Sequence, residues 1–155
     1  MTERDAVQQA FDRFGRDAGF EKKSGSWYQQ GEEVIAVSNL QKSQYGPSYY
    51  FNQAFWLRQL GDERYPKVNK CHVQSRLEGL LPDAERRIHE LLDLEHPMSE
   101  EDRINEFVSL LERELLPVIE QGSSIGGLQA MLQAGKLARA GITGPAQPVL
   151  AADGT

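Results

Sequence analysis

Residues 33–57 read EVIAVSNLQKSQYGPSYYFNQAFWL, and this stretch decides the fold. It predicts two long strands, at residues 33–43 and 48–57, because β-branched and aromatic residues are frequent in both halves. Gly46 and Pro47 separate the halves. A proline cannot donate a hydrogen bond to a β-ladder, so it belongs in the turn. The short connection predicts that the two strands pair in antiparallel fashion.

Shorter strand-like segments extend this hairpin on both sides. Residues 20–23 and 26–30 alternate with turns at Ser24-Gly25 and Gly31-Glu32, and residues 69–77 read as a last strand. Because the connections are short, we expect an antiparallel sheet of about five strands arranged as a meander.

Helical spacing marks the two ends of the chain. Thr2 with Asp5 predicts the start of an N-terminal helix, since a hydroxyl cap is followed by an acid three positions later. Beyond residue 82, three amphipathic segments follow. Ser99 opens the second of them, and we expect Pro117 to kink or end that helix.

The order of helix, strands and helices predicts an α+β fold in which the C-terminal helices pack on one face of the sheet. The other face of such a sheet can be open to solvent. We expect residues 1–141 to form a single domain. Residues 142–155 contain two prolines and mostly small side chains, so we expect a flexible C-terminal tail.

Composition argues against several classes of protein. With 155 residues, of which 39% are hydrophobic and 26% charged, the chain resembles a folded globular protein. Its net charge of −6 argues against nucleic-acid binding and favours a basic partner surface. We expect no membrane span, because no apolar run approaches the roughly 20 residues required. A single cysteine and an N-terminus without a secretory pattern predict a cytoplasmic location.

Polar side chains interrupt the predicted strands. Asn39, Gln41 and Ser43 share one face because side chains alternate along a strand, and His72 and Arg76 are likewise in phase with each other. If the strands present these faces together, the polar groups converge on one patch; otherwise they point to solvent or hold a loop. The candidate binding residues are Asn39, Gln41, Ser43, Tyr45, Asn52, Trp56, His72 and Arg76.

His72 and Arg76 are the best candidates for acid–base or anion-binding chemistry. Histidine titrates near neutral pH, and arginine offers a planar fork of donors. Cys71 is a poor partner for His72, because adjacent strand residues point to opposite faces. The stretch HELLD at residues 89–93 lacks the second histidine of a zinc-protease motif, since Asp93 stands in its place. We therefore expect no catalytic residue, no metal site and no cofactor.

Six short segments follow one another in a recognisable order: GFEKK at 19–23, WY at 27–28, NLQKSQYG at 39–46, YFN at 50–52, CH at 71–72 and RL at 76–77. Together they resemble a bacterial family known only as a domain of unknown function, from the first helix to about residue 81. The resemblance implies a small α+β domain with no assigned activity or catalytic residue.

Three hypotheses about function follow. The leading one is a non-enzymatic cytoplasmic binding protein, in its most specific form an immunity or antitoxin-like partner that occludes a basic toxin surface. The alternative is a small-molecule-binding domain or weak enzyme with a polar site around His72 and Arg76. The third is a homodimer whose seam uses aromatic residues of the second long strand. These residues are Tyr49, Phe51, Phe55 and Trp56.

Overall fold

A six-stranded antiparallel sheet forms the centre of the computed structural model, which describes residues 4–151. The strands lie side by side in chain order, as a meander predicts. The predicted α+β class is confirmed, with one strand more than the five expected. The extra edge strand has only two residues, too few for an alternating pattern. The strands are β1 Glu21–Lys23, β2 Ser26–Gln30, β3 Val34–Lys42, β4 Tyr49–Leu57, β5 Val73–Arg76 and β6 Gly141–Ile142.

Helices precede and follow the strands. The α-helices are α1 Ala6–Asp17, α2 Leu77–Leu80, α3 Glu85–Leu92, α4 Glu100–Leu110, α5 Leu116–Gln121, α6 Ile125–Gln133 and α7 Ala146–Ala151. Three 3₁₀ turns occupy Arg58–Leu60, Val68–Lys70 and Pro82–Ala84. A π-helical segment, Leu111–Leu115, joins α4 to α5.

The N-terminal helix begins at a capping box centred on Asp5. Asp5 Oδ1 accepts a hydrogen bond from the Gln8 backbone N–H at 2.9 Å, and the Gln8 side chain accepts one from the Asp5 N–H at 3.1 Å. This reciprocal pair satisfies two N–H groups that lack partners within the helix. The predicted cap, Thr2, lies outside the described residues.

The main core lies between the helices and one face of the sheet, which confirms the predicted packing. Phe51 on β4 is the centre of an aromatic chain that joins the layers. Its ring centroid lies 5.5 Å from that of Phe11 and 6.1 Å from that of Phe107, both edge to face. Full burial of such a side chain contributes roughly 1.5–3 kcal/mol. The aromatic residues considered for a dimer seam, Tyr49, Phe51, Phe55 and Trp56, are buried within the protomer and are not available for a seam.

A smaller apolar cluster covers one end of the opposite face of the sheet. Its buried members are Tyr28, Ile35, Val37, Ala54, Trp56 and Cys71. Tyr65 and Val68, from the long connection between β4 and β5, pack over them. Because this connection covers only one end, the far end of the same face is left open. The candidate site lies at that open end.

The sequence predicted that Pro117 would either kink or end its helix. The structure shows that the helix does not end at Pro117. Just before it, the Leu116 N–H donates to the Leu111 carbonyl, five residues back, which is π-helical spacing. The wider turn places Pro117 near the start of α5, where a missing N–H costs little. The backbone therefore stays helical from Glu100 to Gln121.

Residues 142–151, which belong to the segment expected to form a flexible tail, pack against the rest of the protein. Ile142 pairs with Val73 of β5, and the side chains of Ala146 and Leu150 are fully buried in the main core. The sequence pattern concealed this packing because small residues and prolines are also typical of loose termini. Residues 152–155 lie outside the described part of the chain.

Candidate functional site

Three polar residues on neighbouring strands lie in one row across the open end of the sheet. The register places Asn39 of β3 opposite Asn52 of β4, and Asn52 opposite Arg76 of β5. Directly opposite residues project to the same face. Gln41, two residues along β3 from Asn39, joins them on that face. We call these four residues the polar row.

Hydrogen bonds connect the whole polar row. Asn52 Nδ2 donates to Asn39 Oδ1 at 2.9 Å and to Gln41 Oε1 at 3.2 Å. Arg76 Nη1 donates to Asn52 Oδ1 at 2.6 Å and to Gln41 Oε1 at 3.1 Å. Each amide is therefore oriented by a neighbour, and the guanidinium is held in one place.

Arg76 retains unused binding capacity. Both of its hydrogen bonds to described residues come from Nη1, so its Nε and Nη2 donors are free to bind another group. No carboxylate of residues 4–151 forms a salt bridge with it. The guanidinium carbon lies 4.1 Å from the centroid of the Tyr50 ring, which supports it from one side. A free pair of arginine donors suits a carboxylate or a phosphate.

The polar row lines an open hollow of about 680 Å³, which we call the sheet hollow. Its other walls include Ser24 and Ser26 at the β1–β2 turn and Lys67 and Asn69 in the β4–β5 connection. Arg139 adds a third cation, although it is already paired with Glu85 at 3.2 Å. Among described residues, the lining contains no carboxylate. The hollow is therefore locally cationic on a protein whose net charge is −6.

His72 does not join the polar row. Its Nδ1 accepts a hydrogen bond from the Leu57 backbone N–H at 2.9 Å, and its ring lies 4.4 Å from that of Trp56. Burial lowers the pKa of this imidazole below its ordinary value. The residue is therefore engaged as a neutral acceptor at the covered end of this face.

The remaining candidates also have local partners. Trp56 is buried, and its Nε1 donates to the Gly61 carbonyl at 3.1 Å, which holds the β4–β5 connection. Ser43 Oγ accepts from the Tyr45 N–H at 3.0 Å in the β3–β4 turn. Tyr45 is 89% exposed and lies on a separate, smaller hollow. Of the eight candidates, Asn39, Gln41, Asn52 and Arg76 are brought together.

Cys71 has the properties of a structural thiol. It is fully buried, and its Sγ lies 3.4 Å from the Lys67 carbonyl. Burial raises its pKa to about 12, so the thiol stays protonated at neutral pH. This thiol is not activated as a nucleophile.

Sequence reasoning missed two kinds of residue. Lys67, Asn69 and Arg139 reach the hollow from segments whose placement no local pattern indicates. Ser38 and Gln53 were not expected to be buried, yet both lie inside the main core, where Ser38 Oγ donates to Gln53 Oε1 at 2.5 Å. Directly opposite positions on β3 and β4 let the two polar groups satisfy each other.

Two further properties of the described residues bear on function. Within residues 4–151, no group of three or more His, Cys, Asp or Glu side chains is arranged to hold a metal ion. Every helix in the same range is too short or too polar to traverse a lipid bilayer.

Comparison with known proteins gives one family match. A family model described as "Domain of unknown function (DUF4304)" matches residues 14–121. The match covers more than two thirds of the chain and extends through α5, beyond the first half on which the resemblance was based. It includes the whole polar row and Lys67, but not Arg139. No curated protein and no solved structure matches the chain.

Proposed function

The chain belongs to the DUF4304 family, and we propose that this member is a non-enzymatic binding protein whose sheet hollow binds a small anionic ligand. The observation that carries the proposal is the Arg76 guanidinium, which is held in place by Asn52 and Gln41 and has no carboxylate partner among residues 4–151. The ligand's carboxylate or phosphate takes the free Nε and Nη2 donors.

Charge and size support this assignment. Lys67 lines the hollow and, within the described residues, forms no salt bridge, so it adds a second available cation. A volume of about 680 Å³ falls within the range of small-molecule sites, which is roughly 300–1,000 Å³. Asn39 and Gln41 offer amide groups that fix the orientation of a polar ligand.

Preorganisation supports binding as well. The two amide oxygens and the Tyr50 ring hold Arg76 before any ligand arrives. A long side chain that is already ordered loses less conformational entropy on binding, typically about 0.5–1.5 kcal/mol per side chain. The network therefore favours affinity for an anion.

The residues at the hollow favour binding over catalysis. Amide and guanidinium groups do not serve as general acids or bases near neutral pH, His72 Nδ1 is occupied by the Leu57 N–H, and the Cys71 thiol stays protonated. The buried, unpaired thiol also supports the cytoplasm as the proposed compartment.

Thermal unfolding with a panel of anions tests the proposal. The probes are inorganic phosphate, succinate, citrate and AMP, each at millimolar concentration. We expect at least one of them to raise the Tm of the wild-type protein, because a ligand that binds only the folded state stabilises it. Arg76→Gln should abolish the shift. Arg86→Gln, which removes the same charge from an exposed position on α3, should preserve it. The proposal fails if no probe raises the Tm, or if Arg76→Gln retains the shift.

We also propose a second candidate, an immunity-like protein that covers a basic partner. The supporting observation is charge segregation. Residues 95–120 contain eight carboxylates and two arginines, so this segment alone has a net charge of −6, the same as the whole chain. One of the two arginines, Arg103, is buried. An acidic helical surface accelerates association with a basic protein. Co-purification with the product of the adjacent reading frame tests this candidate. Recovery of no basic partner from the native host contradicts it.

A further inference from the structure

The third strand has a free edge beside the sheet hollow. Pairing between β2 and β3 stops at Trp27 opposite Ser38, whereas β3 continues to Lys42. Over residues 39–42, β3 pairs only with β4. The β1–β2 turn diverts the neighbouring chain away at Ser24 and Gly25.

The ladder alternation identifies which backbone groups face this free edge. The Gly31 N–H donates to the Val34 carbonyl, so alternate residues of β3 counted from Val34 point toward β2. Continuing that alternation, the N–H and C=O groups of Leu40 and Lys42 point to the side that β2 has left. None of these four groups has a hydrogen-bond partner among residues 4–151. Unpaired strand edges are templates for an added strand.

The free edge and the cationic hollow adjoin each other. Leu40 and Gln41 both line the hollow, and the Arg76 guanidinium reaches across β4 to within 3.1 Å of Gln41 Oε1. Neighbouring strands lie about 4.8 Å apart. A side chain from a strand added beside β3, on the face of the hollow, therefore comes next to Gln41 and within reach of Arg76.

We propose that the free edge of β3 binds an extended peptide segment of a partner protein by strand addition, with an acidic side chain of the segment held by Arg76. The peptide backbone bonds to the outward N–H and C=O groups of Leu40 and Lys42. Its carboxylate accepts from the free donors of Arg76, with Lys67 on the opposite wall. The inference rests on the proposed anion-binding function and names the class of ligand.

Charge complementarity favours an acidic peptide over a second copy of this chain. The edge residue Lys42 is exposed and basic, as is Lys67 across the hollow. Paired edges from two copies would bring the same cations together, and like charges directly opposite each other destabilise strand pairing. An acidic segment instead neutralises them. Backbone bonds supply affinity in this mode, and side-chain pockets supply specificity.

Selection from a library of random seven-residue peptides on the wild-type protein tests the proposal. We expect enrichment of peptides that contain Asp or Glu. The fluorescein-labelled form of the strongest peptide then serves as the probe in polarisation titrations. Lys42→Pro removes an N–H that the sheet itself does not use, and should weaken peptide binding by about tenfold or more. Lys42→Ala keeps the N–H and loses only the charge, so it should bind the peptide at least about threefold more tightly than Lys42→Pro does. N-methylation of the probe peptide, residue by residue, repeats the backbone test without altering the protein.

Several results distinguish this inference from the function on which it rests. Binding of the small anion identified by thermal unfolding should be unchanged in Lys42→Pro, which also shows that the variant is folded. The inference is overturned if no acidic peptide is enriched, or if Lys42→Pro and N-methylated peptides bind as well as their parents. It is also overturned if light scattering shows a dimer that Lys42→Pro dissociates, because a second copy then occupies the edge. The proposed function itself fails on different results, namely if no small anion raises the Tm or if Arg76→Gln retains the shift.

Discussion

Asn52 Oδ1 lies 2.6 Å from Arg76 Nη1, while the Nδ2 atom of the same amide donates to Asn39 and Gln41. One amide thus links three strands and holds a cation at an open position. A neutral acceptor fixes the guanidinium without neutralising it, which is what an anion-binding site requires. A carboxylate at the same position would satisfy the arginine and close the site.

Asn52→Asp tests this distinction. The new carboxylate forms an ion pair with Arg76, so we expect affinity for the anion to fall by about tenfold or more, while the Tm of the free protein is little changed. Isothermal titration with the anion identified by thermal unfolding measures the effect. Asn105→Asp, which adds the same charge at an exposed site on α4, is the matched control. Equal affinity in wild type and Asn52→Asp would mean that Arg76 does not bind the ligand.

Protonation of His72 should make stability depend on pH. Burial lowers the pKa of His72 from its ordinary value of 6.5, so the unfolded chain binds this proton more tightly than the folded one. The contribution of His72 is therefore complete above about pH 6.5 and is lost as the pH falls below that value. Protonation also removes the acceptor for the Leu57 N–H.

Urea unfolding between pH 8 and pH 5 measures this effect. In His72→Asn, the amide oxygen replaces Nδ1 as the acceptor and does not titrate, so we expect a flatter dependence of the unfolding free energy on pH. Asn105→Gln, a substitution at an exposed position on α4, is the control and should keep the wild-type slope. An unaltered slope in His72→Asn would show that another group causes the acid sensitivity.

Arg103 should make a large contribution to stability. It is only 3% exposed and donates to the carbonyls of Glu90, Leu91 and His96 at 2.7–2.8 Å, which caps the C-terminal end of α3. Arg103→Met leaves these acceptors without their donor, and we expect a loss of about 3 kcal/mol in the unfolding free energy. Arg113→Met, at an exposed position, should cost less than about 0.5 kcal/mol. A similar small loss in both variants would contradict the role given to Arg103.

Close approach of Trp27 explains the need for glycine at position 15. A Cβ built on Gly15 would lie 2.2 Å from Trp27 Cδ2, so Gly15→Ala forces α1 away from the sheet. We expect a destabilisation of about 1–3 kcal/mol in urea unfolding. Gly126→Ala is the control, because nothing lies within 4 Å of its added Cβ and helix propensity favours alanine. The packing account is wrong if both substitutions have the same effect.

The fold was largely predictable because its periodicities are local. Alternation over residues 33–57 placed Asn39 and Gln41 on one face, and the turn at Gly46-Pro47 gave the hairpin. The position of Arg76 relative to Asn52 was not predictable, because the connection between β4 and β5 is long and does not determine the register. The hollow depends on that register.

Contacts between residues far apart in the chain also explain why His72 lies outside the site and why Lys67 was not predicted to be in it. His72 and Arg76 are in phase, yet only Arg76 reaches the polar row, because Trp56 and the Leu57 N–H engage the imidazole at the covered end of the face. Lys67 reaches the hollow from a connection that several contacts hold against the sheet, among them the hydrogen bond that Tyr28 Oη donates to the Pro66 carbonyl. No spacing rule indicates such a contact between residues so far apart in the chain.

The most direct test of the central claim is an NMR titration that follows the arginine Nε–Hε signals while the identified anion is added. The account predicts that the Arg76 signal shifts in a saturable manner and that the signals of Arg86 and Arg113 stay in place. Equal, unsaturable shifts of all three arginines, or a stationary Arg76 signal while another arginine saturates, would contradict it.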